Sequence, residues 1–430
     1  MAGMRCLLTT ADAPSRDVAS PVATTAAADL ALDGSRHQTW SGFGGCFNEL
    51  GWDAIGLLAD RDRAELLHGL FAPDGELRLT IGRLPIGAND YSRSWYSLDE
   101  EDGDWELERF SIARDRGCLI PYIAAAQRVA RAPLTLFGSP WSPPTWLKRP
   151  RAMNHGTLLW EPRALTTYAR YFLRFVEEYR TAGIDIAAVH VQNEPNSDQK
   201  FPSCLWTGAQ FRDFIRDHLG PTFAAAGERC EIWAGTIERD GWYDWAAPIL
   251  HDPGCRGLIA GMGFQWAGRG LVRRVHEAAP DLRLWQTENE CGDGSNSWSY
   301  ARHVFDLIQQ YVVAGVDAYC YWNMVLEPEG RSTWGWKQNS LVTIDPATRT
   351  WRRNPEWHIL RHARLAADPG AVRLGLRGAY NGQALAIANP DGSTGLALAN
   401  AGEARRIVVD LGTARLALDL PADSWCTLRG

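Results

Sequence analysis

The feature of this 430-residue chain that most constrains its fold is the alternation of short apolar runs with longer helical patterns. Polar, Gly or Pro residues bound each apolar run, which is typical of buried strands. Strict alternation of strand and helix predicts a parallel sheet, and eight such strands predict a closed (β/α)8 TIM barrel. The predicted strands cover residues 42–46, 78–84, 134–137, 184–191, 230–234, 258–264, 282–286 and 316–322. An open doubly wound sheet is the alternative, but no G-x-G-x-x-G motif or P-loop follows any of these strands.

A second pattern begins after about residue 366, where strand-like runs are short and separated by Gly, Pro, Asp and Asn. This pattern is typical of an antiparallel β-sandwich. The runs cover residues 372–376, 384–387, 395–398, 407–411, 416–418 and 425–428. We therefore predict a barrel over residues 39–365 and an adjoining sandwich over 366–430, joined by a strand from residues 23–38. Residues 1–22 are of low complexity and are predicted to be a flexible leader.

Composition excludes several classes of partner. The formal net charge is −7, which argues against a nucleic-acid partner. No stretch approaches 18 apolar residues, so no membrane span is predicted, and the first 35 residues hold no secretory signal. Nine scattered cysteines form no C-x-x-C pair, so neither a zinc site nor a thioredoxin-like site is indicated, and no cofactor is expected. A reducing cytoplasm is the expected compartment, and the sequence leaves the oligomeric state unknown.

The aromatic composition points to a carbohydrate. The chain has 20 tryptophans, more than either its phenylalanines or its tyrosines. A buried indole N–H needs a hydrogen-bond partner, so an excess of Trp indicates that some of these rings are partly exposed and functional. Flat aromatic faces suit the C–H-rich faces of sugar rings. A large Trp-rich core is the alternative explanation.

Two glutamates follow predicted barrel strands. Glu194 comes after Asn193 at the end of the fourth strand, which Pro195 terminates, and Glu288 comes after Thr287 at the end of the seventh. Because both lie at the carboxyl ends of barrel strands, we expect them on the same rim. Two facing carboxyl groups are what glycoside hydrolysis requires: one protonates the departing oxygen, and in a retaining enzyme the other attacks the sugar. A salt bridge at the rim is the alternative for each glutamate taken singly.

Several segments, in the same order along residues 28–428, resemble glycoside hydrolase family 30. They include Gly42-Phe43-Gly44-Gly45, Ser139-Pro140-Trp141-Ser142-Pro143-Pro144-Thr145-Trp146, Gln192-Asn193-Glu194-Pro195 and Tyr321-Trp322-Asn323. The resemblance implies a (β/α)8 barrel beside a β-sandwich, retention of configuration and no metal. It also implies that Glu194 is the acid/base and Glu288 the nucleophile.

The resemblance supplies further candidate site residues. Those that match sugar-binding positions are Asp90, Trp141, Asn193 and Trp322, to which we add Gln265 and Trp336. Trp336 lies in the segment 334–339, which is expected to form a pocket wall or else a packed aromatic lid. Arg83 is expected to orient a carboxylate. Two departures from the family pattern matter: Glu290 competes with Glu288 as nucleophile, and Ala267 stands where an aromatic hydroxyl is expected near the nucleophile.

These residues predict a retaining β-glycosidase that acts on a small carbohydrate or glycoside. A β-glucosidase, glucosylceramidase-like or β-xylosidase activity is the first choice, and a β-fucosidase or β-1,6-glycanase of the same family is the alternative. An enzyme for lipid glycosides would need an apolar apron around its pocket. A non-catalytic carbohydrate-binding barrel is the alternative from another class, although a lectin has no use for two close carboxylates.

Overall fold

The barrel predicted from the sequence is confirmed by a computed structural model, which describes residues 4–430. Its eight parallel strands, here β1–β8, are Gly42–Cys46, Ile81–Pro85, Thr135–Ser139, Ala188–His190, Glu231–Ile237, Ile259–Gln265, Arg283–Glu288 and Ala318–Asn323. The last strand pairs with the first, with Ala318 opposite Gly42, and this pairing closes the sheet. All eight carboxyl ends therefore meet at one rim.

Helices cover the outside of the barrel. The longer ones are Glu49–Gly56, Asp60–Phe71, Leu119–Ala130, Pro162–Thr181, Gly208–Phe214, Gly220–Ala226, Arg269–Ala278, Trp298–Ala314 and Pro355–Ala366. Local chemistry explains where two of these helices begin. Pro162 occupies the first turn of Pro162–Thr181, and Thr207 and Gln210 form a capping box at the N-terminus of Gly208–Phe214. The helix Pro162–Thr181 buries Phe172 and Phe175 against the strands. Among residues 4–430, no helix has the length and apolar character needed to cross a membrane.

The interior of the barrel below the rim is filled with side chains. It holds Ile81, Phe137, Ala188, Trp233, Trp285, Ala318 and Cys320. The glycine-dense β1 allows this packing, because a Cβ on Gly44 would lie 2.6 Å from the carbonyl oxygen of Ile81 and 2.8 Å from the sulfur of Cys320. His190 stacks on Trp233 inside this core. The space for chemistry is therefore confined to the rim.

The second domain is the predicted sandwich, and its ten strands form one hydrogen-bonded series that folds into two layers. In spatial order they are Ala13–Val18, Arg5–Thr10, Ser424–Arg429, Thr394–Asn400, Ala384–Ala388, Val372–Gly378, Leu30–Thr39, Arg405–Asp410, Arg415–Leu420 and Val22–Ala23. Leu30–Thr39 pairs antiparallel with Val372–Gly378 and parallel with Arg405–Asp410. One apolar core lies between the layers, while Leu385 and Ile387 on the outer face pack against the core of the barrel.

The expectation of a flexible leader over residues 1–22 is wrong for the part that the structure describes. Arg5–Thr10 pairs antiparallel with both Ala13–Val18 and Ser424–Arg429, and Leu7 is fully buried. Residues 1–3 lie outside the described residues. The error has a physical cause: the main partner of this strand lies at the other end of the chain, so local composition carries no sign of the pairing.

Candidate active site

A cavity of about 180 Å³ opens at the carboxyl-terminal rim of the barrel. Six of the eight residues predicted for the site line it: Asp90, Trp141, Asn193, Glu194, Glu288 and Trp336. Gln265 lies against the two glutamates, as described below. Trp322 stacks on Trp141, with 5.5 Å between ring centroids. A contact between Trp322 and a sugar stays a prediction.

The two predicted catalytic carboxylates converge on one side chain. The amide nitrogen of Gln265 lies 3.3 Å from Oε1 of Glu194 and 3.3 Å from Oε2 of Glu288. Because both oxygens contact the same nitrogen, the distance between them cannot exceed the sum of these two distances. Such a separation is compatible with the roughly 5 Å between the carboxyl groups of a retaining glycosidase.

Glu194 is held in place by its backbone. The residue has a left-handed φ of 46°, and its amide donates to the carbonyl of Thr236 at 3.2 Å. Its own carbonyl accepts from the amide of Ser197 at 3.0 Å. A non-glycine residue in this conformation is uncommon and persists where neighbours fix the chain, a situation frequent at active sites. This left-handed conformation directs the side chain of Glu194, which lies beyond the end of β4, to the cavity.

Arg83 links the nucleophile candidate to Asn193. Its guanidinium, fully buried, donates to Oε2 of Glu288 at 2.5 Å and to Oδ1 of Asn193 at 2.6 Å. The guanidinium lies 4.6 Å from the ring centroid of Trp141, a cation–π contact. Arg83 thus orients a carboxylate, as expected from its position. Because the Asn193 oxygen is occupied by this bond, its amide nitrogen is left as the donor for a ligand.

The electrostatic surroundings of the two glutamates differ. Burial raises the pKa of Glu194, and the negative charge of Glu288 raises it further. Burial also raises the pKa of Glu288, but Arg83 opposes this rise, and the indole N–H of Trp266 donates to Oε1 at 3.4 Å. Arg83 therefore favours the ionised form of Glu288, whereas the charge of Glu288 favours the protonated form of Glu194. This is the division that an acid and a nucleophile require.

Glu290 faces away from the cavity. Its carboxylate accepts from Nε2 of His303 at 2.8 Å and lies 3.6 Å from Arg269. The hydrogen bond from His303 lowers the pKa of Glu290. Strand β7 ends at Glu288, so Glu290 lies beyond the strand. Of the two candidates, only Glu288 lines the cavity.

The floor near Asp90 is a chain of hydrogen bonds. Gln338 donates to Oδ2 of Asp90 at 3.2 Å and accepts from the indole N–H of Trp322 at 2.7 Å. Burial and the charge of Glu288 raise the pKa of Asp90 to about 7.

The segment 334–339 does contribute to the wall, through Trp336 and Gln338. Ala267 presents no hydroxyl near Glu288, where Trp266 offers its N–H instead.

Sequence reasoning missed several residues of the cavity, among them Ser197, Phe201, Glu238 and Cys291. Glu238 is the most consequential, because it is a buried carboxyl group in addition to Asp90, Glu194 and Glu288. Strand β5 was expected to end at residue 234 but extends to Ile237. Glu238 therefore comes directly after β5, at the same rim as Glu288 at the end of β7. Glu194 and Glu288 were found by looking for carboxyl groups at the ends of predicted strands. The same search would have found Glu238 if the predicted strand had been extended to residue 237.

Comparisons with known proteins agree with this geometry. Residues 40–365 match the glycosyl hydrolase family 30 TIM-barrel domain. A putative glucosylceramidase of Caenorhabditis elegans is 28% identical over 85% of this chain and 75% of its own length. An endo-1,6-β-D-glucanase of Neurospora crassa is 26% identical over 87% and 78%, respectively. The crystal structure of SrfJ from Salmonella typhimurium superposes with a TM-score of 0.89 at 26% identity, covering 99% of both chains. The chain therefore belongs to glycosyl hydrolase family 30, and it is a glycoside hydrolase.

Proposed function

We propose that this enzyme hydrolyses β-D-glucosides with retention of configuration, using Glu288 as nucleophile and Glu194 as acid/base. The observation that carries the assignment of these roles is the convergence of both carboxylates on Gln265 within one cavity. The choice of glucose rests on the relatives, since glucosylceramidases and endo-1,6-β-D-glucanases are both named for a glucosyl unit.

The first step forms a glycosyl-enzyme. An oxygen of Glu288 attacks the anomeric carbon, while Glu194 gives its proton to the glycosidic oxygen and the leaving group departs. Arg83 keeps Glu288 ionised and oriented for attack. We infer that the amide nitrogen of Asn193 donates to the 2-hydroxyl of the sugar, a contact that strengthens in the transition state.

The second step releases the sugar. Glu194, now ionised, removes a proton from water as the water attacks the anomeric carbon, and Glu288 leaves as a carboxylate. Two inversions at one carbon give net retention. The negative charge on Glu288 in the resting enzyme raises the pKa of Glu194. This charge is lost while the glycosyl ester exists, so the pKa of Glu194 falls and Glu194 stays ionised after it has given its proton to the leaving group.

A second candidate function is hydrolysis of β-1,6-linked glucans. A solved endo-β1,6-glucanase superposes on this chain with a TM-score of 0.87, covering 99% of both chains at 23% identity, which supports the shared fold. The N. crassa relative carries the same activity in its name. β-Xylosides and β-fucosides remain as further sugars that a family member can take, and they belong in the same substrate panel.

The test uses Glu288→Ala with sodium azide. We expect this variant to lose about 10⁴-fold or more in kcat on 4-nitrophenyl β-D-glucoside, since residues of a catalytic unit have effects of this order. Azide attacking from the side that Glu288 vacates should restore turnover and yield the α-glucosyl azide, identified by NMR. Wild-type hydrolysis should release the β-anomer first. Release of the α-anomer by the wild type, or wild-type turnover by Glu288→Ala, contradicts the proposal.

A further inference from the structure

Glu238 is a buried carboxyl group in the cavity wall that the two-step reaction does not use. Its side chain is 1% exposed, and it follows β5 on the same rim as the two catalytic glutamates. Oε1 accepts from the hydroxyl of Ser197 at 2.9 Å and from the amide of Asn196 at 3.1 Å. Among residues 4–430, nothing hydrogen-bonds to Oε2.

The free oxygen indicates a ligand contact. Leaving a buried polar atom without a partner costs free energy comparable to its desolvation, so such atoms in native proteins are paired or have a functional role. The structural role of Glu238, which is to hold Asn196 and Ser197, uses Oε1 alone. Arg239 does not satisfy the group, because its Nε reaches Oε1 only at 4.0 Å. A hydroxyl group of a ligand in the cavity can donate to Oε2.

The position of Glu238 identifies which part of a substrate it meets. The residues it holds directly follow Glu194, the group that protonates the departing oxygen. Glu238 is also close enough to raise the pKa of Glu194 by its charge. The sugar-binding candidates Asp90 and Trp141 come instead from the loops after β2 and β3. Glu238 and its neighbour Arg239 therefore lie beside the acid/base, where the leaving group departs.

We propose that Glu238 binds a hydroxyl of the leaving group, so that the preferred substrate carries a sugar or another polyol as its leaving group. This inference rests on the proposed function and narrows it. A long alkyl leaving group would press against Oε2 without offering a hydrogen bond, and an unpaired buried polar group is unfavourable. A sugar hydroxyl can donate a hydrogen bond to Oε2 of Glu238. The inference places this enzyme with hydrolases of glucosyl-sugars rather than of glucosyl-lipids.

The experiment compares Glu238→Gln with the wild type on three substrates: a β-1,6-linked glucose disaccharide, 4-nitrophenyl β-D-glucoside and octyl β-D-glucoside. Gln keeps an oxygen for Ser197 and Asn196 but removes the anionic acceptor. We expect the ratio of kcat/KM for the disaccharide to kcat/KM for the aryl glucoside to fall roughly tenfold, the usual scale for a charged hydrogen bond. The octyl-to-aryl ratio should stay within about twofold.

Ser197→Ala is the matched control, because it removes a contact to Oε1 and leaves Oε2 intact. It should leave the disaccharide-to-aryl ratio within about twofold of the wild-type value. If Glu238→Gln lowers kcat/KM in equal proportion on all three substrates, Glu238 only supports the loop and the inference is overturned. A wild type that prefers the octyl glucoside to the disaccharide overturns it too. A wild type inactive on every glucoside contradicts the proposed function itself.

Discussion

Two clusters of acidic and basic side chains in this molecule behave in opposite ways. One lies in a cleft between the barrel and the sandwich, where Glu76, Asp368 and Asp391 each have an arginine partner. Asp368 bonds Arg364 at 2.6 Å, and Asp391 bonds Arg429 at 2.8 Å. Burial acts to raise the pKa of Asp368, but its arginine partners lower it overall. The hydroxyl and amide of Ser393, with Arg429, lower the pKa of Asp391 to about 2.

The other cluster is the catalytic cavity, where carboxyl groups outnumber the cations that contact them. Asp90, Glu194, Glu238 and Glu288 all line it, and Arg83 bonds only one of them. Burial raises the pKa of all four. Arginine partners lower the pKa values of the cleft carboxyl groups, whereas the unmatched carboxyl groups of the cavity have raised pKa values. The imbalance, rather than the presence of charge, marks the site of chemistry.

Among changes that test this contrast between the cavity and the cleft, removing the acid/base should have the largest effect on activity. We expect Glu194→Gln to lower kcat/KM on alkyl β-D-glucosides by about 10²–10⁴-fold, the range for general acid catalysis. The wild-type profile should fall at high pH as Glu194 loses its proton, and this limb should be absent in the variant. The first step on 2,4-dinitrophenyl β-D-glucoside, whose leaving group needs no proton, should change little. An equal loss on both substrates would contradict the assignment.

Removing the cation of the cavity should have the next largest effect. We expect Arg83→Met to lower kcat by roughly 10²–10³-fold, similar to the loss of one preorganised electrostatic contact. Without Arg83, the pKa of Glu288 should rise, so the acidic limb of the kcat/KM profile should move to higher pH. Arg83→Lys keeps the charge and should move that limb less. An unmoved limb in a folded Arg83→Met variant, checked by circular dichroism, would contradict the role of Arg83.

A change in the cleft should act on stability alone. We expect Asp368→Asn to cost about 2 kcal/mol of unfolding free energy near neutral pH, because it weakens bonds to Arg364 and Arg429. The folded pKa of Asp368 is lowered, so its contribution is present above the unfolded value of about 3.9 and is lost as the pH falls through the folded pKa. Urea unfolding at several pH values measures this difference. A loss of kcat/KM beyond about twofold would show that the cleft is coupled to catalysis.

The sequence predicts most of the barrel because its signals are local. Each buried strand is an apolar run with a clear end, so the rim and its glutamates follow from the ends of the strands. The cavity wall was predicted less well. Trp322 was assigned to the sugar and stacks on Trp141, and its contact with a sugar stays a prediction, because strand-end position does not show which of two stacked rings faces the ligand. Glu238 was missed because β5 continues through Gly235 and Thr236 beyond the expected end.

The pairing of Arg5–Thr10 with Ser424–Arg429 has a consequence for biosynthesis. During translation, Arg5–Thr10 can pair early with Ala13–Val18, but its other edge has no partner until Ser424–Arg429 has been made. The barrel, closed by β1 and β8, can assemble earlier, so this second edge stays open while the barrel forms. An open strand edge is a template for pairing with another chain, so the long wait is a hazard for aggregation during synthesis.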